Sequence, residues 1–167
     1  MMKEARVQYD VNIGQPQQDW LVPVQHLKEE HEALLTELQT LYLMARRIGS
    51  RPVIDAVTLR KLRGRAAAFQ QELAQHAKWE EETLFPQMTA YYGEELNQFT
   101  LIEQEHLLAE QFVQAFVDAV ERAPVRSYEA HEMASYLNQA LEVLQGHFGM
   151  EEALVAELVD RSNHYGY

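Results

Sequence analysis

The sequence predicts an all-α protein folded as an antiparallel, up-down-up-down four-helix bundle. Apolar residues recur at the three- and four-residue spacing of amphipathic helices in four long segments of the 167-residue chain. The seven glycines and five prolines are few, and several of them fall between those segments. No segment alternates apolar and polar residues as a strand would. Helices of roughly 30 residues joined by short loops pack most simply as antiparallel neighbours.

The first two helices form the first predicted hairpin. The first helix begins at about Trp20 and ends at Gly49 and Pro52. Asp55 is expected to cap the second helix, which ends around Pro86 to Tyr92 with Gly93 as its stop. The residues expected to face inward are Leu27, Leu34, Leu35, Leu38, Leu41 and Tyr42 in the first helix and Leu59, Leu62, Ala66, Phe69, Leu73, His76 and Thr83 in the second.

The second predicted hairpin has the same form. Its first helix runs from about Glu94 to Arg122, and Pro124 follows it. Ser127 is expected to cap the last helix, which continues to about Val159. The inward residues of the third helix are Phe99, Ile102, His106, Ala109 and Val113. The predicted domain organisation is an irregular leader over 1–18, the bundle over 19–162 and a C-terminal tail over 163–167.

Composition narrows the class of function. The formal net charge of −12 argues against nucleic acid or an anionic membrane surface as a partner. The chain has no cysteine, so thiolate chemistry and disulfides are excluded. The first 20 residues lack the apolar stretch of a signal peptide, and no apolar run is long enough to cross a bilayer. We therefore expect a soluble cytoplasmic protein.

The histidines carry a repeated pattern. Four of the seven are followed by a glutamate four residues later, which is more than chance placement would give. Two of these pairs extend to a longer shared motif, HAKWEE at 76–81 and HFGMEE at 147–152. The helices before them also correspond, with EEHEALL at 29–35 and EQEHLLA at 103–109. The chain thus reads as two similar helical hairpins, each with one histidine and then a histidine–glutamate pair.

This pattern predicts a metal site inside the bundle. Residues four apart lie on one face of a helix, so His76 and Glu80 point the same way, as do His147 and Glu151. Buried carboxylates need a counter-charge, and metal ions supply one. Imidazole and carboxylate suit iron, manganese or zinc. Two carboxylates bridging two metals, with two histidines on each, would leave a coordination position open for dioxygen, nitric oxide or peroxide.

The chain resembles the hemerythrin-like, HHE cation-binding family from about residue 20 to 160. The resemblance is carried by His31, HAKWEEETLFP at 76–86, the Glu-His pair at 105–106 and HFGMEE at 147–152. It implies a non-haem di-iron centre, oxo- or hydroxo-bridged, in which manganese or zinc could substitute for iron. The implied ligands are four terminal histidines and two bridging glutamates: His31, His76, His106, His147, Glu80 and Glu151.

The sequence departs from the oxygen-carrying hemerythrins at Glu110. Those proteins have a second histidine one turn after the histidine of the third helix, and this chain has Glu110 there. Glu110 is therefore either a further ligand, a neighbour of a ligand, or a solvated residue. The second motif also lacks the Leu-Phe-Pro tail of the first.

Several functions fit such a site. The first is a small-ligand-binding di-iron protein used in sensing, storage or stress response. The alternatives are iron–sulfur cluster repair or iron donation, and a module of iron homeostasis that metal merely stabilises. These patterns assign no catalytic residue and leave open whether the chain is an enzyme. A ferritin-like site is excluded because only Glu103 and His106 have its Glu-x-x-His spacing.

The remaining histidines and glutamates have simpler interpretations. His26, His131 and His164 are not expected to be ligands, since His26 and His131 lie off the inward face of their helices. Glu81 and Glu152 are expected to face either solvent or a neighbouring helix.

Overall fold

The computed structural model describes residues 16–49, 56–92, 97–121 and 127–165, and these residues are helical throughout. The helices are α1 (Pro16–Gly49), α2 (Ala56–Trp79), α3 (Phe85–Tyr92), α4 (Asn97–Glu121) and α5 (Ser127–Tyr165). A π-helical segment, Glu80–Leu84, joins α2 to α3 without a break. The proposed cap at Asp55 lies outside the described ranges, and so does most of the predicted leader over 1–18. None of the described helices combines the length and the apolar character that spanning a membrane requires.

The long helices form a four-helix bundle, which confirms the predicted fold class. α1 packs against α2 and α5, and α4 packs against α2 and α5, so each long helix has two neighbours. The residues predicted to face inward are buried or partly buried with one exception, Thr83, which is exposed. That prediction was wrong because Thr83 lies in the π-helical segment, where the face of the helix rotates relative to α-helical spacing.

The π-helical segment has a cause in the sequence. Proline has no N–H, and in an α-helix its ring collides with the carbonyl four residues back, which for Pro86 belongs to Glu82. In this structure the backbone N–H of Phe85 donates to the carbonyl of Glu80, five residues earlier, and not to the residue four earlier as in an α-helix. The wider turn therefore begins at Glu80. α5, which has no proline at the corresponding place, stays α-helical through its second copy of the motif.

The core is divided into two apolar clusters. The larger one contains Phe69, Phe116 and Phe148 among residues from all four long helices. The smaller one surrounds Phe85, which stacks on Phe99 with ring centroids 4.3 Å apart. In α1, α4 and α5, a histidine lies between residues of the larger cluster and residues of the smaller one. His76 lies likewise between the larger-cluster residues of α2 and the smaller-cluster residues that follow α2 in the π-helical segment and α3. The bundle thus holds a buried polar layer between two apolar ones. Its members are His31, His76, Glu80, His106, His147 and Glu151.

Candidate metal centre

The structure brings together the six residues that the sequence predicts as ligands. Each of the four long helices supplies one histidine, Glu80 opens the π-helical segment, and Glu151 lies one turn after the histidine of α5. All six are at most 2% exposed, although histidine and glutamate are usually found at least partly exposed. Their burial follows from position: each histidine lies on the apolar face of its own helix.

The Glu80 carboxylate faces both hairpins of the bundle. Its Oε1 atom contacts Nε2 of His76 and lies 3.7 Å from Nε2 of His31. Its Oε2 atom lies 3.6 Å from Nε2 of His106. The two oxygens of one carboxylate are therefore directed at different pairs of histidines.

Glu151 has the same arrangement from the opposite side. Its Oε1 atom lies 3.6 Å from Nε2 of His31. Its Oε2 atom lies 3.0 Å from Nε2 of His147 and 4.0 Å from Nε2 of His106. Both carboxylates thus connect the same two pairs of histidines.

These atoms form two overlapping groups of four candidate ligands, each with its ligand atoms within 4.8 Å of one another. We call them the first group and the second group, and both carboxylates belong to both. The first group is His31, His76, Glu80 and Glu151. The second group is Glu80, His106, His147 and Glu151.

The inward atoms of the six side chains lack hydrogen bonds. The four Nε2 atoms and the four carboxylate oxygens are all buried, and none is satisfied by a hydrogen bond within the described part of the chain. Leaving one buried polar atom unsatisfied costs about 1–3 kcal/mol, so eight in one layer would strongly destabilise a bundle that held nothing there. Two nitrogen and two oxygen donors per group match the ligand preferences of iron, manganese and zinc. The donor set therefore fits a metal site.

The protonation of two of the four histidines also suits metal binding. Burial and the neighbouring His31 lower the pKa of His76 to about 4. Burial and the neighbouring His147 lower the pKa of His106 to about 3. Both imidazoles are therefore neutral at physiological pH, with one ring nitrogen free to donate a lone pair to a metal.

Without a cation, the ionised form of the Glu80 carboxyl group is unfavourable in this buried layer. Burial first, and then the nearby Glu151, raise the pKa of Glu80 well above its ordinary value. Two carboxylates that face each other in a low-dielectric interior cannot both ionise without a compensating charge. A divalent cation between them would remove that conflict.

A known family model covers most of the chain. The family model described as the hemerythrin HHE cation-binding domain matches residues 22–159. The chain belongs to the hemerythrin HHE cation-binding family. Comparisons with curated proteins and with solved structures found no match. Cation binding is thus the family's property, and the buried histidine–glutamate layer of this HHE domain fits a metal site.

Four further glutamates support the histidines of the HHE domain from outside, and we call them the outer carboxylates. Each lies next to the Nδ1 atom of one histidine, on the side of the ring away from the centre. The Nδ1–oxygen distances are 3.1 Å for His31 and Glu152, 3.2 Å for His76 and Glu30, 3.5 Å for His106 and Glu81, and 2.6 Å for His147 and Glu105. An acceptor at Nδ1 fixes the tautomer that presents Nε2 as the lone-pair donor, and it makes the ring a better ligand.

Sequence reasoning did not assign this role to the outer carboxylates. Glu81 and Glu152 were expected to face either solvent or a neighbouring helix, and the structure places each beside a histidine of a neighbouring helix. Glu30 and Glu105 belong to the repeated patterns of the first and third helices but were given no role at the site. A signal was present, because each outer carboxylate directly precedes or follows a predicted ligand in the chain.

The two hairpins are related by an approximate two-fold symmetry. In the first hairpin Glu30 contacts His76, and in the second hairpin the equivalent residue Glu105 contacts His147. The ring pairs obey the same relation. His31 and His76 meet edge to face with centroids 4.9 Å apart, and the corresponding pair in the second hairpin meets at 4.6 Å. The sequence repeat is therefore a repeat of the site as well.

The other candidates lie outside the two groups. Glu110 is partly buried and belongs to neither group, and its charge acts on Glu81. His131 is exposed, and the side chain of His164 lies outside the described residues. His26 is exposed too, but its Nε2 atom lies 3.2 Å from Glu30, so it contacts an outer carboxylate.

Glu105→Gln tests the outer carboxylates. The substitution keeps the shape of the side chain but removes the charge that polarises His147, and we expect the affinity for metal to fall about 10- to 100-fold. Competition with a chelator of known affinity measures this. Glu121→Gln, at the exposed end of the same helix, is the matched control. Equal affinities for the two variants would contradict the supporting role.

Proposed function

We propose that the chain holds two iron ions in a non-haem di-iron centre with an open coordination position for dioxygen, nitric oxide or peroxide. One observation carries the proposal: the two candidate groups share both carboxylates. A single ion would use one group and leave two histidines of the other group buried without partners. Two ions, one in each group, give all eight inward atoms a partner.

The donor count supports an open position. Each ion would receive two imidazole nitrogens and one oxygen from each of two carboxylates. Histidine and carboxylate sites that leave positions open are typical of the non-haem iron centres that bind dioxygen. Iron supplies the redox and ligand-binding chemistry when bound. The alternative ions, manganese and zinc, would fit the same donors.

The protein's own contribution is to hold and shield the site. The outer carboxylates keep each imidazole in the orientation that directs Nε2 inward. The apolar clusters above and below the polar layer exclude bulk water from it. A molecule of two or three atoms can pass through such surroundings at lower cost than a large charged metabolite, which would lose much more hydration. This selectivity favours diatomic ligands and peroxide, and hence a role in sensing, storage or stress response.

Metal analysis coupled to optical spectroscopy tests the proposal. Protein loaded anaerobically with ferrous iron is expected to retain about two irons per chain. After oxidation, it should show a ligand-to-metal charge-transfer band that changes on addition of azide, peroxide or nitric oxide. A chain that takes up no iron would refute the di-iron proposal. A band that no small ligand alters, combined with a melting temperature that falls on chelation, would show that metal serves only to stabilise the bundle.

A further inference from the structure

The first hairpin is basic where α1 ends and α2 begins, although the whole chain has a formal net charge of −12. Residues 38–49 and 56–71 contain six arginines and lysines and no aspartate or glutamate. These basic residues are Arg46, Arg47, Arg60, Lys61, Arg63 and Arg65. The net charge is an average over the chain, and it conceals a local positive charge at this end of the hairpin.

Two of the six basic residues are engaged within the bundle, and their contacts orient α2. The Nε and Nη2 atoms of Arg65 donate to the two carboxylate oxygens of Glu37 in α1 at 3.0 and 2.9 Å, and its Nη1 atom donates to the sulfur of Met44 at 3.6 Å. Arg63 donates from Nε to the carbonyl of Val120 in α4 at 2.8 Å. Thus α1 lies on one side of α2 and α4 on the other. Glu37 is neutralised by Arg65, so it does not offset the other four basic residues.

Exposed apolar side chains lie among those four basic residues. Val57 and Lys61 are four residues apart, on the side of α2 that continues to Arg65 and so borders α1. Leu43 and Arg47 share a side of α1 in the same way. Leu43 is 48% exposed and Val57 is 54% exposed, and the four basic residues are exposed as well. We call this surface the basic face. Its members are Leu43, Arg46, Arg47, Val57, Arg60 and Lys61.

The acidic side chains of the same two helices are distant from the basic face. The next acid along α2 is Glu72, eleven residues after Lys61 and about 16 Å further along the helix axis. On α1, the acid that precedes the paired Glu37 is Glu32, about 22 Å along the axis from Arg47. Salt screens exposed charges beyond about 8 Å at physiological ionic strength. An anionic surface that approached the basic face would therefore be attracted, in spite of the net charge of the chain.

An anionic lipid surface fits the basic face better than a nucleic acid does. Clusters of arginine and lysine on amphipathic helices bind anionic headgroups, and apolar side chains among them enter the boundary between headgroups and acyl chains. A nucleic-acid backbone would use the charges but would leave Leu43 and Val57 without a role. The basic face also offers no aromatic side chain on which unpaired bases could stack. The combination of charge and exposed apolar side chains thus favours a membrane.

We propose that the basic face docks the protein, as a peripheral protein, on membranes that contain anionic phospholipids. Leu43 and Val57 enter the boundary between headgroups and acyl chains, and the four exposed basic residues lie against the phosphates. The acidic side chains around the polar layer stay in water. This docking needs no metal and no helix that crosses the bilayer, so it is independent of the proposed di-iron function.

Cosedimentation of the full chain with lipid vesicles tests the proposal. The protein is expected to sediment with vesicles of equal parts phosphatidylglycerol and phosphatidylcholine, and to remain in the supernatant with phosphatidylcholine alone. In the double variant Arg60→Gln/Lys61→Gln, the partition coefficient should fall about 30-fold, since each basic residue near an anionic surface contributes roughly fivefold. Lys78→Gln, at an exposed lysine of the same helix outside the basic face, is the matched control and should bind as the unsubstituted protein does. Absence of binding, equal binding to both kinds of vesicle, or an unchanged partition of the double variant would overturn the proposal.

Leu43→Ser separates insertion from charge attraction. This variant should bind anionic vesicles several-fold more weakly, whereas Leu107→Ser, at an exposed leucine of α4, should bind like the unsubstituted chain. Equal binding of the two variants would overturn the insertion of Leu43. Duplex DNA and polyglutamate serve as competing probes for a nucleic acid and an acidic protein. Tighter binding of either probe than of the anionic vesicles would assign the basic face to that class of partner and overturn membrane docking.

Discussion

Replacing Glu80 or Glu151 with alanine is expected to reduce the metal content of the purified protein from about two ions per chain to well below two. Each carboxylate directs one oxygen towards each group of histidines, so either substitution removes a donor from both groups at once. It also opens a cavity in a fully buried layer. Loss of a single terminal histidine, by contrast, removes a donor from only one group.

Metal analysis after loading and desalting measures this effect, and two comparisons sharpen it. His131→Ala changes an exposed histidine of α5 and should leave about two ions bound. His31→Ala should retain more metal than Glu80→Ala, because the second group keeps all four of its donors. Two ions retained by Glu80→Ala or by Glu151→Ala would refute the bridging assignment.

The long helices and the convergence of the six inward residues could be predicted from the sequence. Residues four apart share a face in any α-helix, so His76 and Glu80 had to point the same way in any helical fold of this segment. The repeat at His147 and Glu151 then supplied the second half. Burial could also be predicted, since each histidine interrupts an apolar stripe rather than a polar face.

Contacts between helices could not be predicted in the same way. The hydrogen bond from His76 to Glu30 joins residues 46 positions apart, and its formation depends on the rotation of α1 against α2. Side-chain spacing places Glu30 beside the inward face of α1 but does not say which histidine it reaches. The outer carboxylates therefore become visible only when the four helices are assembled.

The π-helical segment was missed for a different reason. Proline usually marks the end of a helix, so the second helix was expected to end around Pro86 to Tyr92, and the Leu-Phe-Pro tail was assigned no structural role. The structure shows that the helix continues through Pro86 by widening from Glu80 to Leu84. This local change moves Thr83 to the surface and makes Glu80 the first residue of the wide turn. The tail thus has a structural consequence at the site itself.

Glu80→Gln is expected to make the metal-free chain more stable while it impairs metal binding. Burial and Glu151 raise the pKa of Glu80 above the value it has in the unfolded chain. Between those two values the folded state binds more protons than the unfolded state, so the contribution of Glu80 to stability decreases as pH rises. At neutral to alkaline pH the folded metal-free protein bears the cost of this group, and a neutral amide of the same shape removes it.

The size of the effect follows from the cost of an unsatisfied buried group. Relief of about 1–3 kcal/mol, at about 2–4 °C per kcal/mol for a chain of this length, raises the melting temperature by about 2–12 °C. The difference between Glu80→Gln and the unsubstituted chain should grow between pH 5 and pH 8. Glu82→Gln, at an exposed glutamate of the same π-helical segment, should change the melting temperature little at either pH.

With metal bound, the unsubstituted protein should melt at a higher temperature than Glu80→Gln, the reverse of the order expected without metal. A ligand present at about 1,000 times its dissociation constant stabilises a folded protein by about 4 kcal/mol, which exceeds the gain from the amide. The unsubstituted protein with metal should therefore melt highest, metal-free Glu80→Gln next, and the metal-free unsubstituted protein lowest. Thermal melts with metal and with chelator establish this order. If metal-free Glu80→Gln melts below the metal-free unsubstituted chain, Glu80 contributes to packing more than it costs in charge. The expected order would mean that Glu80 destabilises the metal-free protein and stabilises the metal-bound one, as a metal ligand should.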